Sequence, residues 1–275
     1  MHKISFIGAG NMGGALIRAV CKAIPPEDVL IYDTDTAKTS AMAFETGCDT
    51  CASLDAAVSD AKYIVFCVKP QILPVVISSA AKGLAEAIAA RQERVVVSIV
   101  AGITLDSLRA TFVSCGLPNI SIIRVMPNIP ASVGRGTLLV VPDTTVSESD
   151  CSELESFFSR AGLVERTDEH TLNLGTAICG CVPAFVFMFI DALADGGVAI
   201  GMSREKALLY AAQTVAGAAD MVLATGEHPA ALKDAVCSPG GSTIAGVMAL
   251  ENGAFRSAVS QAVIQSNKRN NELGA

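Results

Sequence analysis

The sequence predicts an α/β fold in which a doubly wound, parallel sheet is followed by an all-helical region. Three observations carry this. Continuous Val/Ile runs alternate with helical periods up to Arg166, a Gly-rich turn sits between the first strand and the first helix, and no β-rich run follows residue 166. Runs such as Val95-Val96-Val97-Ser98-Ile99-Val100 suit a parallel sheet covered on both faces. The expected domains are therefore 1–166 and 167–275, separated by a change of period and not by a flexible linker.

The first strand is expected over 3–7 and a helix over 14–23. Between them Gly8-Ala9-Gly10-Asn11-Met12-Gly13 is a G-x-G-x-x-G. In such a loop Gly8 allows the tight turn, Gly10 lets a pyrophosphate approach the backbone, and Gly13 lets helix and strand pack closely. A second strand over 28–32 ends in Asp33, twenty residues after Gly13, where a dinucleotide fold holds ribose hydroxyls. The context marks a Rossmann-type domain; a flavodoxin-like domain without a dinucleotide is the alternative. Further strands are expected over 62–68, 95–100, 121–125, 137–141 and 163–165. Right-handed crossovers would bring their C-terminal ends to one edge. The candidate dinucleotide-binding residues are then Ile7, Gly8, Ala9, Gly10, Asn11, Met12, Gly13, Asp33, Val68, Lys69, Pro70, Ala101, Gly102 and Asn128. Asp33 and Asp35 would repel a 2′-phosphate and no Arg stands at the end of the second strand, which favours NAD(H) over NADP(H).

Beyond Arg166 helices are expected over 171–200, from the Ser203 cap to 224, over 229–236, from Ser242 and over 255–272. Between the third and fourth of these lies Val236-Cys237-Ser238-Pro239-Gly240-Gly241-Ser242-Thr243-Ile244-Ala245-Gly246. Pro239-Gly240-Gly241 breaks the helical period, and Ser242 and Thr243 open the next helix. A side-chain-poor turn leading into a helix N-terminus offers N–H groups and hydroxyls to a small carboxylate. A simple helix–helix turn with Ser242 as N-cap explains the same residues.

Composition narrows the classes. The net charge is −7 and no basic run exceeds Lys268-Arg269, so nucleic acid is not an expected partner. Nine cysteines, an odd number, lie in apolar segments, and the first residues read as a strand with no signal peptide before them. Reduced thiols and a cytoplasmic location are expected. Cys48-x-x-Cys51 and Cys179-x-Cys181 have no second ligand pair at a metal spacing, so no metal is expected. The apolar stretch 182–202 contains Asp191 and Asp195, which argues for a buried helix at a subunit interface and against a membrane span.

A dinucleotide domain with a carboxylate-binding loop suggests hydride transfer to a small acid. The only histidines are His2, His170 and His228, none placed as an obvious general acid, and no Lys lies in a suitable apolar helix. A protonated cyclic imine is already electrophilic and needs mainly orientation. The stretch 236–246 resembles the signature of pyrroline-5-carboxylate reductases. So do Asp191-Ala192-Leu193-Ala194-Asp195-Gly196-Gly197-Val198, His228-Pro229, Leu232-Lys233-Asp234 and Phe255-Arg256. In the first half, residues 6–13, Val68-Lys69-Pro70-Gln71 and Arg124-Val125-Met126-Pro127-Asn128 are similar to the family's cofactor side.

The resemblance spans the chain in order. It implies a helical dimerisation domain, dimers assembling into decamers, and reduction of L-1-pyrroline-5-carboxylate to L-proline. It implies that Gly240, Gly241, Ser242 and Thr243 hold the substrate carboxylate, with Thr243 also facing the ring nitrogen as the catalytic residue. Glu169 matches a family acid near the substrate, and a solvated helix-start acid is the alternative. Three positions depart from the family: Cys179-Gly180-Cys181-Val182-Pro183-Ala184 replaces Ser-Gly-Ser-Gly-Pro-Ala, Ile129 stands for Thr, and Leu54 stands for an Asn at the cofactor ribose. The first change can reshape the floor of the substrate site. The alternatives are therefore a reductase of another cyclic imino acid, such as a six-membered piperideine carboxylate, and a dinucleotide-binding regulator without turnover.

Overall fold

A computed structural model describes residues 1–274. The chain runs β1 (His2–Ile7), α1 (Asn11–Val20), β2 (Val29–Tyr32), α2 (Thr36–Thr46), β3 (Asp49–Thr50), α3 (Leu54–Ser59), β4 (Ala61–Phe66) and α4 (Leu73–Ala89). It continues through β5 (Val95–Ser98), α5 (Leu105–Ser114), β6 (Ser121–Met126), β7 (Gly136–Pro142), α6 (Glu148–Phe158), β8 (Gly162–Arg166) and α7 (Glu169–Cys179). Then follow α8 (Val182–Ala199), α9 (Arg204–Thr225), α10 (Pro229–Ala235), α11 (Ser242–Asn252) and α12 (Phe255–Gly274).

The strands form one sheet in the order β3-β2-β1-β4-β5-β6-β7-β8. Alternation along each strand feeds two cores. Ile4, Phe6, Tyr63, Val65, Val95 and Val97 meet α1 and α6 on one face. Ile64, Phe66 and Val96 meet α3, α4 and α5 on the other. This is the doubly wound arrangement expected from the apolar runs.

Two expectations are corrected. The sheet is not wholly parallel: β7 runs antiparallel to β6, and β8 is parallel to β7. Only a short 3-10 turn over Ile129–Val133 separates β6 from β7, too little chain for the crossover that a parallel neighbour needs. The two-residue β3 gave no pattern in the sequence, because Asp49 and Thr50 are both exposed.

The helix expected over 171–200 is two helices. Pro183 has no N–H to donate to the carbonyl of Cys179, so the ladder of α7 stops and α8 starts with that proline in its first turn.

Two compact units result. One comprises residues 1–180 with the end of α12 from Asn267, the other Cys181–Ser266. The division falls after α7 because Leu172, fully buried, packs on Leu139 and Val141 of β7.

The helical unit has little interior of its own. In α8 only Ala194 is buried, and in α9 only Ala207 and Ala211. Phe187, Met188, Leu209, Tyr210 and Leu223 are exposed. The interface helix foreseen over 182–202 is thus uncovered within one chain. Residues 169–199 and 204–225, like 70–89, are long and apolar enough to cross a membrane by length and composition alone.

Leu172→Ala is expected to destabilise the first unit by about 2–5 kcal/mol, since it opens a cavity between α7 and β7. Urea unfolding followed by circular dichroism checks this, and a change below about 0.5 kcal/mol would show that α7 is not part of that core.

Candidate active site

The Gly-rich turn is shaped by close backbone approach. Gly8 has φ +108°, and a Cβ there would sit 2.8 Å from the carbonyl oxygen of Cys67. A Cβ on Gly13 would sit 2.3 Å from the carbonyl oxygen of Gly8, so α1 can lie this near β1 only with glycine at that position. Nothing lies within 4 Å of the corresponding point on Gly10, which caps α1 without any side-chain hydrogen bond. The first N–H groups of α1, from Asn11, Met12 and Gly13, therefore have no side-chain cap, and the space beside Gly10 is open. That is the cradle a pyrophosphate requires. Ile7 and Ala9 are buried beneath it, and desolvation pushes the neighbouring Cys67 thiol up.

Asp33, one residue past β2, fixes the turn from the side. Its Oδ2 accepts from the N–H of Ala9 at 2.8 Å and its Oδ1 from the N–H of Asp35 at 2.9 Å. Asp35 pairs with Lys38 at 3.2 Å. The end of β2 thus presents carboxylates, with its nearby lysine already paired.

The remaining predicted positions follow along the same edge. Val68, Lys69 and Pro70 come just after β4, and Ala101 and exposed Gly102 (φ +76°) after β5. Asn128 follows β6, but its side chain is spent on the fold. Its Nδ2 donates to the carbonyl of Cys179 at 2.9 Å, and its Oδ1 accepts from the N–H of Thr137 at 2.9 Å. The Cys179 carbonyl is the one that Pro183 leaves without a helical partner, so Asn128 completes the end of α7.

A cavity of about 520 Å³ opens at this edge, lined among others by Pro70, Gly102, Thr104, Arg124, Asn173 and Thr176. Arg124, on β6, is buried; its Nη1 donates to Glu169 and, at 3.0 Å, to Oδ1 of Asn173. Glu169 is the first residue of α7. Its two oxygens also accept from the N–H of Leu105 at 3.0 and 3.2 Å. The expected substrate-side acid is therefore a carboxylate already held within the fold. Sequence reasoning missed Arg124, Asn173 and Thr176 as cavity residues. Arg124 left a trace, a lone charge inside the apolar strand Ser-Ile-Ile-Arg-Val-Met.

Gly240, Gly241, Ser242 and Thr243 belong to the helical unit. The N–H of Gly241 donates to the carbonyl of Ser238 at 3.0 Å, closing a turn with Pro239 second and Gly240 third at φ +68°. The N-cap of α11 is Gly241, not Ser242, and no side chain caps it. Ser242 lies one position later because Gly241 already has the extended backbone of a cap (φ −77°, ψ 171°). Ser242 and Thr243 are exposed.

Gly13→Ala is expected to weaken nicotinamide dinucleotide binding about tenfold or more, because the methyl must displace the Gly8 carbonyl from the turn. Calorimetric titration checks this; unchanged affinity would show that the cradle is not the binding site.

The family model described as pyrroline-5-carboxylate reductase dimerisation matches residues 169–273. A model described as NADP oxidoreductase, coenzyme F420-dependent, matches residues 3–102. The pyrroline-5-carboxylate reductase of Escherichia coli K12 is 38% identical over 273 residues, covering 98% of both chains. That of Arabidopsis thaliana is 37% identical over 273 residues, covering 98% of this chain and 95% of the relative. The crystal structure of Plasmodium falciparum pyrroline carboxylate reductase with NADP bound superposes with a TM-score of 0.86 at 29% identity, covering 100% of this chain and 98% of that one. With relatedness of this depth along its whole length, the chain belongs to the pyrroline-5-carboxylate reductase family.

Proposed function

We propose that the protein reduces L-1-pyrroline-5-carboxylate to L-proline with a nicotinamide dinucleotide as cofactor, the last step in making that amino acid. The observation that carries the chemistry is the open cradle at Gly10, where uncapped N–H groups of α1 meet a turn that tolerates no Cβ at Gly8 or Gly13. Relatedness to reductases over the whole chain supplies the substrate.

The cofactor, when bound, supplies the hydride. The α1 N–H groups would hold its pyrophosphate and Asp33 the adenosine ribose, while Val68, Lys69, Pro70, Ala101, Gly102 and the backbone of Asn128 would border the nicotinamide half. The carboxylates at the end of β2 support NADH over NADPH, because a 2′-phosphate there would meet Asp33 and Asp35. The uncapped N–H groups and hydroxyls of Ser242 and Thr243, with Gly240 and Gly241 keeping side chains away, would bind the substrate carboxylate. The Thr243 hydroxyl would orient the ring nitrogen. No histidine is needed, since an imine protonated in solution is already the electrophile. On this reading 1–166 is the cofactor domain and 167–275 the substrate and dimerisation domain. The exposed apolar faces of α8 and α9 support a homodimer that assembles further, as a decamer. Nine unpaired thiols suit the reducing cytoplasm.

Purified protein is expected to oxidise NADH on addition of the five-membered imine, with kcat/KM about tenfold or more above that for NADPH. Comparable efficiencies would contradict the charge argument at Asp33. A preference for the six-membered imine would move the assignment to that substrate, through the altered segment 179–184. Thr243→Ala is expected to lower kcat about 100-fold while cofactor affinity is unchanged. Loss of cofactor binding instead would refute the placement of Thr243.

A further inference from the structure

Arg124 and Glu169 belong to no role derived so far, and their geometry is specific. A guanidinium buried in a β-strand, only 5% exposed as a side chain, requires a counter-charge, and Glu169 provides it. The same carboxylate takes the Leu105 N–H, the first of α5 and an orphan donor at a helix N-terminus. Glu169 therefore ties together three walls of the cavity: β6 through Arg124, the start of α5 through Leu105, and its own helix α7. That helix presents Asn173 and Thr176 to the cavity one and two turns further on.

The loop between β5 and α5 ends at this tie, while Ile103 packs against the second core and Thr104 accepts from the Ser107 N–H at 3.2 Å. Ala101 and Gly102 form a turn, and among the described residues the 101–104 loop donates no short, well-aligned backbone hydrogen bond; Gly102 has open space around it. Leu105 is the first residue past the loop whose N–H is held, and Glu169 holds it. The loop is the part of the cavity rim assigned above to the nicotinamide half of the cofactor.

We propose that Glu169 is a positioning residue for the reductase: its carboxylate, charge-balanced by Arg124, sets the 101–104 loop, and through it the nicotinamide ring, without touching substrate. This rests on the reductase reading of the preceding section. It assigns Glu169 a different part from the substrate-side acid that the resemblance implies.

The test compares full-length wild type with Glu169→Gln. Three quantities are read: turnover with its primary isotope effect from cofactor deuterated at C4, the Kd of ADP-ribose, which lacks nicotinamide, and amide exchange of the 101–105 segment. The variant is expected to lose about 10- to 100-fold in kcat, with a larger isotope effect, as misplacement of reacting atoms by about 1 Å would produce. ADP-ribose affinity should stay within about twofold, since the Gly-rich cradle is remote from the clamp. Exchange at 101–105 should rise about tenfold or more, with the 8–13 turn unchanged. A parallel loss of ADP-ribose binding would show a merely structural residue, and unchanged kcat or unchanged exchange would overturn the proposal. Should Glu169→Gln fail to fold for want of a counter-charge to Arg124, Glu169→Asp keeps the charge and shortens the reach, and the same split is expected of it. If wild type does not reduce the imine, the reductase reading fails on its own, and the exchange measurement still decides whether Glu169 holds the loop.

Discussion

The structure depends on how backbone groups left over at the ends of strands and helices find partners. At one edge of the sheet three side chains take on this work. Asp33 accepts the Ala9 N–H, Glu169 accepts the Leu105 N–H, and Asn128 serves both the Cys179 carbonyl and the Thr137 N–H. Each satisfied group fixes one loop on the rim. Among the described helices that start without a side-chain cap, α4 and α8 carry a proline in their first turn, whereas α1 and α11 follow glycine turns. Where a helix start is neither capped nor crowded, an anion is the natural partner. The start of α1 in one unit and that of α11 in the other are therefore the two helix ends to which we assign the pyrophosphate and the substrate carboxylate in the proposed function.

The two units differ in how they are held. The first has a sheet with apolar residues on both faces, and its strands other than the edge strands β3 and β8 are buried almost residue by residue. The second has small residues at the contact of α8 with α9, where a Cβ on Gly197 would lie 2.9 Å from that of Ala207, and large apolar side chains on its outside. That inversion is what a helical segment shows when its interior is completed by another chain, and the match of residues 169–273 to a dimerisation family accords with it.

Most of the fold was legible because its signals are local. The glycines of 8–13, the strand before them and Asp33 after them lie within one βαβ unit, and the parallel strands other than β3 announce themselves as apolar runs rich in Val and Ile. What was not legible required knowledge of partners distant in sequence. The reversal of β7 follows from the shortness of the 127–135 connection, which the βα alternation elsewhere masked. The break between α7 and α8 was signalled by Pro183 but overridden by the apolar run around it. The turn before α11 was visible in Pro239-Gly240-Gly241, yet the helix cap fell one residue earlier than the hydroxyl preference suggested, because glycine also takes the extended cap backbone. Glu169 and Asn128 were singled out as ligand neighbours. The groups they hydrogen-bond within the fold, Leu105, Arg124, Cys179 and Thr137, lie nine to sixty-four residues away, beyond the reach of any pattern in the chain.

The central claim is that this chain moves a hydride onto a cyclic imine. The most direct measurement supplies NADH carrying deuterium at both C4 positions together with L-1-pyrroline-5-carboxylate and analyses the product by mass spectrometry. Proline carrying a single deuterium on the ring carbon that was the imine carbon is the expected product. Proline without deuterium, or dinucleotide binding with no proline formed, would contradict it, the second result leaving a regulator that binds the cofactor without turning it over.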